Sequence, residues 1–228
     1  MAKYLVEDAS LAAVADAIRS KGGTEDALMF PEDFVSAVDA ISVSGSGDTS
    51  VEDGIIAKAI SGAYANDRVT SIGSYVFRDN PELTSVSFKK VTAVGMYAFI
   101  NCYALCEIDF PLLVAIETST FQNCYEIELA DFPSCKSVAA QAFRQCNALK
   151  ALVLRYEQAV VSLANTSALQ STPVAGGTGY IYVPAALIDA YKTATNWSTY
   201  AAQFRAIEDY TVDGTVTGAI DWDKINAA

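Results

Sequence analysis

The amino-acid sequence predicts a repeat solenoid of short parallel strands and turns, with a small N-terminal helical module and a C-terminal α/β cap. The first observation is a phenylalanine column with a constant step of 22 residues, formed by Phe77, Phe99, Phe121 and Phe143. The second is the composition, because 52% hydrophobic and 18% charged residues suffice for a packed core. A period of roughly 20–50 residues is typical of solenoids, whose units bury their apolar sides against their neighbours.

Other side chains repeat in register with the phenylalanines. Three positions after each phenylalanine stand Asn80, Cys102, Cys124 and Cys146. Eleven positions after it stand Phe88, Phe110, Phe132 and Leu154. Apolar and polar residues alternate before this last column, which indicates a strand, and a second extended piece precedes each phenylalanine. Each coil is therefore expected to pair two short strands with the next coil, about 4.8 Å away. A fifth unit is weaker, with Asn165 in the phenylalanine column.

The segments on either side of the repeats differ from them in composition. Residues 1–41 are predicted to form two short helices, and the Ser- and Gly-rich residues 42–51 a flexible linker. The solenoid is placed at residues 52–175. Residues 176–210 contain a predicted strand and a predicted helix that cover the open end of the solenoid as its cap. Residues 211–228 form a short acidic tail.

The repeat pattern Val-x-x-Ile-Gly-x-x-x-Phe-x-x-Cys-x-x-Leu-x-x-Ile-x-Phe is clearest between Val91 and Phe110. It resembles the leucine-rich repeats of the BspA-like family. The segments Tyr182–Pro184 and Asn196–Ser198 resemble the cap that ends such arrays, so the resemblance covers roughly residues 55–207. The family serves in surface recognition and adhesion and has no fixed catalytic motif. The resemblance thus implies a leucine-rich-repeat-like fold and a binding role, without assigning site residues.

A second, shorter resemblance concerns the N-terminus. The segments Tyr4–Asp8 and Val14–Arg19 resemble N-terminal segments of tail-associated proteins in phages and prophages of Gram-positive gut bacteria. This resemblance implies that residues 1–41 attach the chain to other tail or particle proteins. Two helices this short are marginal alone in water, so they are expected to pack on each other, on a partner, or on a second copy of the chain in a homo-oligomer.

Composition and charge argue against several classes of function. The formal net charge of −12 disfavours contact with phosphate backbones and anionic membranes, so neither nucleic acid nor membrane is an expected partner. The chain has no histidine, which removes the commonest general base and the commonest metal ligand. We therefore expect no enzyme activity, no catalytic residue and no cofactor.

The N-terminal residues predict where the chain is made. Acids follow directly after Met1–Val6 and no apolar core segment is present, so no signal peptide is recognised. We expect synthesis in the cytoplasm. Association with a virion, or release by lysis, would then bring the chain to a cell surface.

The cysteine column has two interpretations. Cys102, Cys124 and Cys146 in a row are candidate zinc ligands, because zinc binds thiolates. Alternatively, the thiol is a small, mildly apolar group that donates its S–H to a backbone carbonyl, as Asn80 would with its amide. Adjacent coils align such sulfurs about 5 Å apart in a line rather than in a tetrahedron, which favours the structural interpretation. The phenylalanine column is interpreted as structural too, and no metal site is predicted.

The outward positions of the strand before each Phe88-type column form the candidate binding face. With their flanks they are Ser85, Ser87, Lys89, Glu107, Asp109, Glu128, Asp131 and Arg155. The acids suggest a cation site, a glycan-binding surface or a carboxylate pair for glycoside hydrolysis, and the alternative is a solvated polar face. The same alternation places Ala151 and Val153 outward.

Tyrosines form two further stripes. Tyr75 and Tyr97 share one column and Tyr103 and Tyr125 share another. Aromatic stripes suit contact with a carbohydrate or a protein, and they suit half-buried packing on a narrow coil equally well.

Three functions follow from these observations. The first is a non-enzymatic recognition or structural protein, associated with a phage or prophage tail, that binds a protein or a cell-surface glycan through the solenoid. The second is a bacterial surface adhesin, which the missing signal peptide disfavours. The third is a glycan-active enzyme that uses the acidic strand face, which the lack of histidine and of a catalytic spacing disfavours.

Overall fold

The computed structural model describes residues 50–51 and 60–210 of the 228-residue chain. The predicted helical module at residues 1–41 and the tail at residues 211–228 lie outside the described residues. Of the predicted linker, Ser50 and Val51 are described, and these two residues form a strand rather than a flexible connection.

The described residues form short strands joined by turns. In chain order the strands are β1 (Ser50–Val51), β2 (Gly62–Ala65), β3 (Ser71–Ile72), β4 (Leu83–Ser87), β5 (Ala93–Val94), β6 (Glu107–Asp109), β7 (Ala115–Ile116), β8 (Leu129–Phe132), β9 (Ser137–Val138), β10 (Ala151–Leu154), β11 (Ser162–Leu163), β12 (Tyr180–Val183) and β13 (Phe204–Ala206). Within residues 60–210, one α-helix, α1 (Ile188–Thr193), is accompanied by 3-10 segments at Thr166–Leu169, Ala185–Leu187, Trp197–Gln203 and Ile207–Tyr210.

All described strand pairs are parallel, which confirms the predicted architecture of parallel strands and turns. Strands β1, β3, β5, β7, β9 and β11 form one six-stranded sheet, called here the first sheet. The other strands form a three-stranded sheet, β2-β4-β6, and a four-stranded sheet, β8-β10-β12-β13, which together are called the second side. Ser71 pairs with Ala93 and Ser85 with Glu107, so equivalent positions of successive coils lie side by side.

Each turn bends at two residues with left-handed backbone, two positions before and two after the phenylalanine. The pairs are Tyr75 and Asp79, Tyr97 and Asn101, Ser119 and Asn123, and Gln141 and Gln145. Between the bends the phenylalanine faces inward, and its N–H donates to the next coil, as from Phe99 to the carbonyl of Thr120 at 2.9 Å. At the second bend, Asn123 donates to Asn101 and Asn101 to Asp79, both at 2.6 Å. Asparagine suits this position because its short polar side chain tolerates a positive φ.

The phenylalanines form the central column of the core. The ring centroids of Phe77 and Phe99 are 4.9 Å apart, those of Phe99 and Phe121 are 5.4 Å apart, and those of Phe121 and Phe143 are 5.5 Å apart. The rings are stacked nearly parallel and fully buried. Their spacing is close to the distance of about 4.8 Å between paired strands, so one repeat length satisfies both contacts.

The cysteine column joins each coil to the one before it. The S–H groups of Cys102, Cys124 and Cys146 donate to the carbonyl oxygens of Phe77, Phe99 and Phe121, at 3.0, 3.2 and 3.1 Å respectively. In the first coil Asn80 takes this place, and its Nδ2 donates to the carbonyl of Ile60 at 2.8 Å. Burial raises the pKa of Cys102 to about 12 and raises the pKa of Cys124 and Cys146 as well, so these thiols stay protonated.

The repeat step lengthens after the fourth phenylalanine. Ser137 pairs with Ser162, and the N–H of Phe143 donates to the carbonyl of Ala168. The placement of Asn165 in the phenylalanine column is therefore wrong, because three extra residues precede this turn. Asn165 instead begins the 3-10 segment at Thr166–Leu169, and its Oδ1 accepts a hydrogen bond from the N–H of Ser167 at 3.0 Å.

The chain after the repeats continues the second side and contacts the last strand of the first sheet. Strand β12 is the strand expected within residues 176–210, and it pairs with β10 and β13. The indole Nε1 of Trp197 donates to the carbonyl of Val161 at 2.6 Å, and the hydroxyl of Tyr191 accepts from the N–H of Val161 at 2.9 Å. Asn196 donates to the carbonyl of Leu163 at 2.8 Å. Side chains thus satisfy backbone groups of β11 and of Val161, the residue before it.

Substitution of Phe99 by alanine tests the role of the phenylalanine column. The change removes a fully buried ring that contacts Phe77, Phe110 and Phe121. We expect the free energy of unfolding to fall by about 3–5 kcal/mol, measured by urea denaturation. Ile100→Gln is the matched control, since Gln122 occupies the same column in the next coil. A shift no larger than that of the control would contradict the role of the column.

Thiol reactivity tests the burial of the cysteines. Cys106 is exposed, whereas the other four of the five cysteines are buried. The thiolate is the reactive species, and burial raises the pKa of Cys102 and Cys135 to about 12. At pH 8 we expect one thiol per native chain to react rapidly with a disulfide reagent, and all five to react after denaturation. A second thiol that reacts as fast as Cys106 in the native chain would be inconsistent with this packing.

Candidate recognition surface

The predicted binding face lies on the second side, where its charged side chains other than Glu107 form ion pairs. Ser85 and Ser87 of β4 lie beside Glu107 and Asp109 of β6. The hydroxyl of Ser87 donates to Asp109 Oδ2 at 2.8 Å, and Lys89 Nζ contacts the same oxygen. The negative charge of Asp109 is therefore balanced within the chain.

Two of the three remaining acids of this face, Asp131 and Glu128, have cationic neighbours too. Arg155 Nη2 lies 2.7 Å from Asp131 Oδ2, and Arg155 Nε lies 3.0 Å from both oxygens of the same carboxylate. Lys150 Nζ lies 3.5 Å from Glu128 Oε2, and both of these side chains are largely exposed. Glu107 has no ion pair with any residue of the described ranges. Carboxylates already balanced by a cation attract a metal ion weakly, so this arrangement suits a polar surface better than a cation site.

The outward positions of β10 are buried, so the prediction that they face solvent is wrong. Ala151 and Val153 are fully buried in a second hydrophobic cluster, together with Tyr182 and Ile207. The physical reason is the neighbouring strand, because Ala151 pairs with Tyr180 and Val153 with Tyr182 of β12. Large aromatic side chains replace the small or charged ones that flank the other strands, so the polar part of the face ends at β8.

The side chains of the described residues do not converge into a metal site. Within residues 60–210, no group of three or more His, Cys, Asp or Glu side chains is placed to hold an ion. The cysteine column instead donates its S–H groups to carbonyls, and thiols with a raised pKa are poor sources of the thiolate that zinc requires. No helix in the same part of the chain is long and apolar enough to cross a membrane.

The outward side of the first sheet carries small, uncharged side chains. We call it the uncharged face, and from β3 to β11 its outward residues are Ser71, Ala93, Ala115, Ser137 and Ser162. Each precedes an inward Ile, Val or Leu, as the alternation along a strand requires. The face is flat because none of these side chains extends beyond a hydroxymethyl group.

A ledge of larger side chains follows the strands of this face along the chain. We call it the tyrosine ledge, and it consists of Tyr75, Met96 and Tyr97. The rings of Tyr75 and Tyr97 stack with centroids 5.1 Å apart and planes 7° apart. Tyr75 is 46% exposed and Met96 is 45% exposed. The N–H of Tyr75 donates to the carbonyl of Met96 at 3.2 Å, so the three residues are contiguous.

The second tyrosine stripe lies four positions after the phenylalanines. The rings of Tyr103 and Tyr125 stack with centroids 5.2 Å apart and planes 18° apart. Tyr103 is exposed and Tyr125 is half-buried. Both stripes therefore pack along the stack and also reach the surface, so half-buried packing is observed and contact with a partner stays a prediction.

Sequence reasoning missed the apolar residues that border the uncharged face. Met96, Leu112 and Val114 are 45%, 44% and 40% exposed, although none of them was a candidate for binding. They do not repeat from coil to coil, so they belong to no column of the repeat. The available signal was the near absence of charge in the segments around β5 and β7.

A comparison of two acidic residues tests the geometry of the ion pairs. The side chain of Arg155 is 8% exposed, so Asp131→Asn would leave a nearly buried guanidinium without its carboxylate. We expect a loss of more than about 1 kcal/mol in the free energy of unfolding, against less than about 0.5 kcal/mol for Glu128→Gln in its exposed pair. Urea denaturation measures both. Equal effects would show that the Asp131–Arg155 pair is not the buried, specific contact described.

Comparison with known proteins identifies the repeats. Residues 60–172 match the BspA type leucine rich repeat region in six copies. A leucine rich repeat protein of T. pallidum is 20% identical, with 54% of this chain covering 57% of that chain at a TM-score of 0.45. A leucine rich cell surface protein of Faecalibacterium prausnitzii is 18% identical, and the match covers 59% of this chain and 42% of that chain at a TM-score of 0.42. The pneumococcal vaccine antigen PcpA is 16% identical, and the match covers 71% of this chain and 44% of that chain at a TM-score of 0.48.

The chain spans about half the length of these solved proteins, between 42% and 57%. No curated protein matches it significantly. The matched residues coincide with the stacked coils, the phenylalanine column and the cysteine column described above. Residues 60–172 of this chain therefore form a leucine-rich repeat region of the BspA type.

Proposed function

We propose that the chain is a non-enzymatic recognition protein that presents the outer surface of its repeats to a partner at a cell surface. The observation that carries the proposal is the contrast between inward and outward positions. The inward columns repeat phenylalanine and cysteine, whereas one outward column changes from Ser87 to Asp109 and Asp131. A variable surface on a constant frame suits recognition of a partner, as in other solenoids.

The geometry offers little to an enzyme. The acids of the second side, apart from Glu107, are bound by cations or hydroxyl groups of the same chain. The buried thiols have a raised pKa and are therefore poor nucleophiles. The alternative function is hydrolysis of a glycan by the acidic strand face, and release of sugars would distinguish it from binding alone.

Two settings would bring this surface to a cell. In the first, the chain acts as a bacterial surface adhesin. In the second, residues 1–41 attach it to a phage or prophage tail, and lysis releases the assembled particle. The resemblance of Tyr4–Asp8 to tail-associated proteins supports the second setting, whereas the match of residues 60–172 to BspA type repeats is equally compatible with both.

We also propose that residues 176–210 cap the repeats. Open ends of a parallel sheet expose unpaired backbone groups, which favours aggregation. Trp197, Tyr191 and Asn196 hydrogen bond to backbone groups along β11, which supports this role.

Binding of the full chain to whole cells tests the proposed function. Fluorescently labelled protein is titrated onto Gram-positive and Gram-negative bacteria and onto epithelial cells, and bound fluorescence is measured by flow cytometry. We expect saturable binding to at least one cell type, abolished by unlabelled chain. Absence of saturable binding throughout the panel would contradict recognition, and release of sugars from a glycan panel, lost in Glu107→Gln, would favour the enzyme instead.

A further inference from the structure

The two sides of the coil differ sharply in charge. The first-sheet segments contain two charged residues, Glu117 and Lys136, in residues 70–75, 92–97, 114–119 and 136–141. The second-side segments contain seven, in residues 84–89, 106–111, 128–133 and 150–155. The centres of protein–protein interfaces are depleted of charge and enriched in aromatic residues and methionine. The first-sheet side therefore has the composition of an interface, and the second side that of a solvated surface.

Most of the exposed large hydrophobic side chains border the first sheet. Of five such residues in the described ranges, four lie beside it along the chain, namely Tyr75, Met96, Leu112 and Val114. Tyr75 and Met96 follow strands of the sheet, whereas Leu112 and Val114 precede one. The uncharged face lies between them, so a flat floor of small residues has apolar borders on both sides.

The tyrosines of the ledge are placed at a cost to the fold. Tyr75 and Tyr97 have φ values of 65° and 60°, a backbone conformation that costs a side-chain-bearing residue about 1–2 kcal/mol. Ser119 and Gln141 occupy the same column in the next two coils, so the turn does not require an aromatic ring. Stacking of the two rings offsets roughly 0.5–1.5 kcal/mol of this conformational cost. The left-handed backbone belongs to the turn in every coil, but the fold does not need the exposed ring of Tyr75 stacked on the half-buried ring of Tyr97, which indicates a contact outside the chain.

We propose that the tyrosine ledge and the uncharged face together bind an uncharged, apolar segment of another protein. This proposal rests on the proposed function and specifies its surface and its class of partner. A sugar ring stacks on an open aromatic face, but Tyr75 and Tyr97 cover each other at 5.1 Å. The guanidinium of Arg78 lies 5.7 Å from the centre of the Tyr75 ring. Stacking therefore covers one face of each ring, and the ring edges and hydroxyl groups that the pair presents suit the side chains and backbone of a protein.

Charge argues against a second copy of the chain as the occupant. Two chains, each with a formal net charge of −12, repel one another on approach. The five strands from β3 to β11, at about 4.8 Å each, give a floor about 19 Å long, which matches about six residues of extended chain. An uncharged segment of this length avoids the loss of solvation that a charged one would suffer on this face.

A peptide library tests the surface with matched variants. The full chain is used to select binders from a randomised twelve-residue phage-displayed library, and dissociation constants of the selected synthetic peptides are measured by fluorescence anisotropy. The ledge variant combines Tyr75→Ser, Met96→Thr and Tyr97→Gln, which are residues that the same columns already carry in later coils. The control variant combines Tyr103→Asn and Tyr125→Asn, since Asn147 occupies that column.

We expect the selected peptides to be uncharged and apolar, to lose at least tenfold in affinity with the ledge variant, and to bind the control variant as they bind the original chain. Met96→Thr alone, at a position without left-handed backbone, should lose at least threefold if the triple variant unfolds more easily. The proposal is overturned if no peptide is selected, or if the ledge variant binds equally well.

Three further outcomes would replace the proposed occupant. Charged peptides that lose affinity with Glu107→Gln and Asp109→Asn would place recognition on the second side, while saturable cell binding would leave the proposed function intact. Binding to a glycan array that the ledge variant loses would make the ledge a carbohydrate site. A dimer in sedimentation equilibrium that the ledge variant dissociates would make the occupant a second copy.

Discussion

The ring of Phe99 is fully buried because Phe77 lies 4.9 Å and Phe121 5.4 Å from it, in the coils before and after. A single coil of 22 residues has no such cover, so each coil depends on its neighbours for a core. The same stacking lets Cys124 donate to the carbonyl of Phe99 in the preceding coil. Parallel pairing, inward columns and left-handed bends all follow from the need to keep successive coils in register.

This constraint separates the residues that hold the fold from those available to a partner. Inward positions are limited to side chains that stack, and bends favour residues that tolerate a positive φ. Outward positions accept a wider range of side chains, and the two sides of the coil carry different ones. The second side balances Asp131 with Arg155 and Asp109 with Lys89, whereas the uncharged face presents small side chains beside Tyr75 and Met96. Only the latter has the composition of a protein interface.

The period, together with the alternation of apolar and polar residues before each Phe88-type position, predicted the parallel strands and the turn that buries each phenylalanine, because equivalent side chains of successive coils can then stack. It also identified the column in which Cys102 donates to a carbonyl. It did not reveal the three extra residues before Ala168, since alanine carries no mark of the phenylalanine column. Burial of Val153 depends on Tyr182 in a later strand, and the pairing of Lys89 with Asp109 depends on tertiary register. Contacts between residues far apart in the chain cannot be predicted from a local pattern of apolar and polar residues.

The most direct measurement is hydroxyl-radical footprinting of the full chain, free and with a bound peptide. Methionine and tyrosine are readily oxidised, and Tyr75, Met96 and Tyr97 report on the ledge while Tyr103 and Tyr125 serve as internal references. Recognition through the uncharged face predicts that oxidation of the three ledge residues falls on binding, with the two reference tyrosines unchanged. Protection of Tyr103 and Tyr125, with Tyr75, Met96 and Tyr97 still oxidised at their original rate, would contradict it.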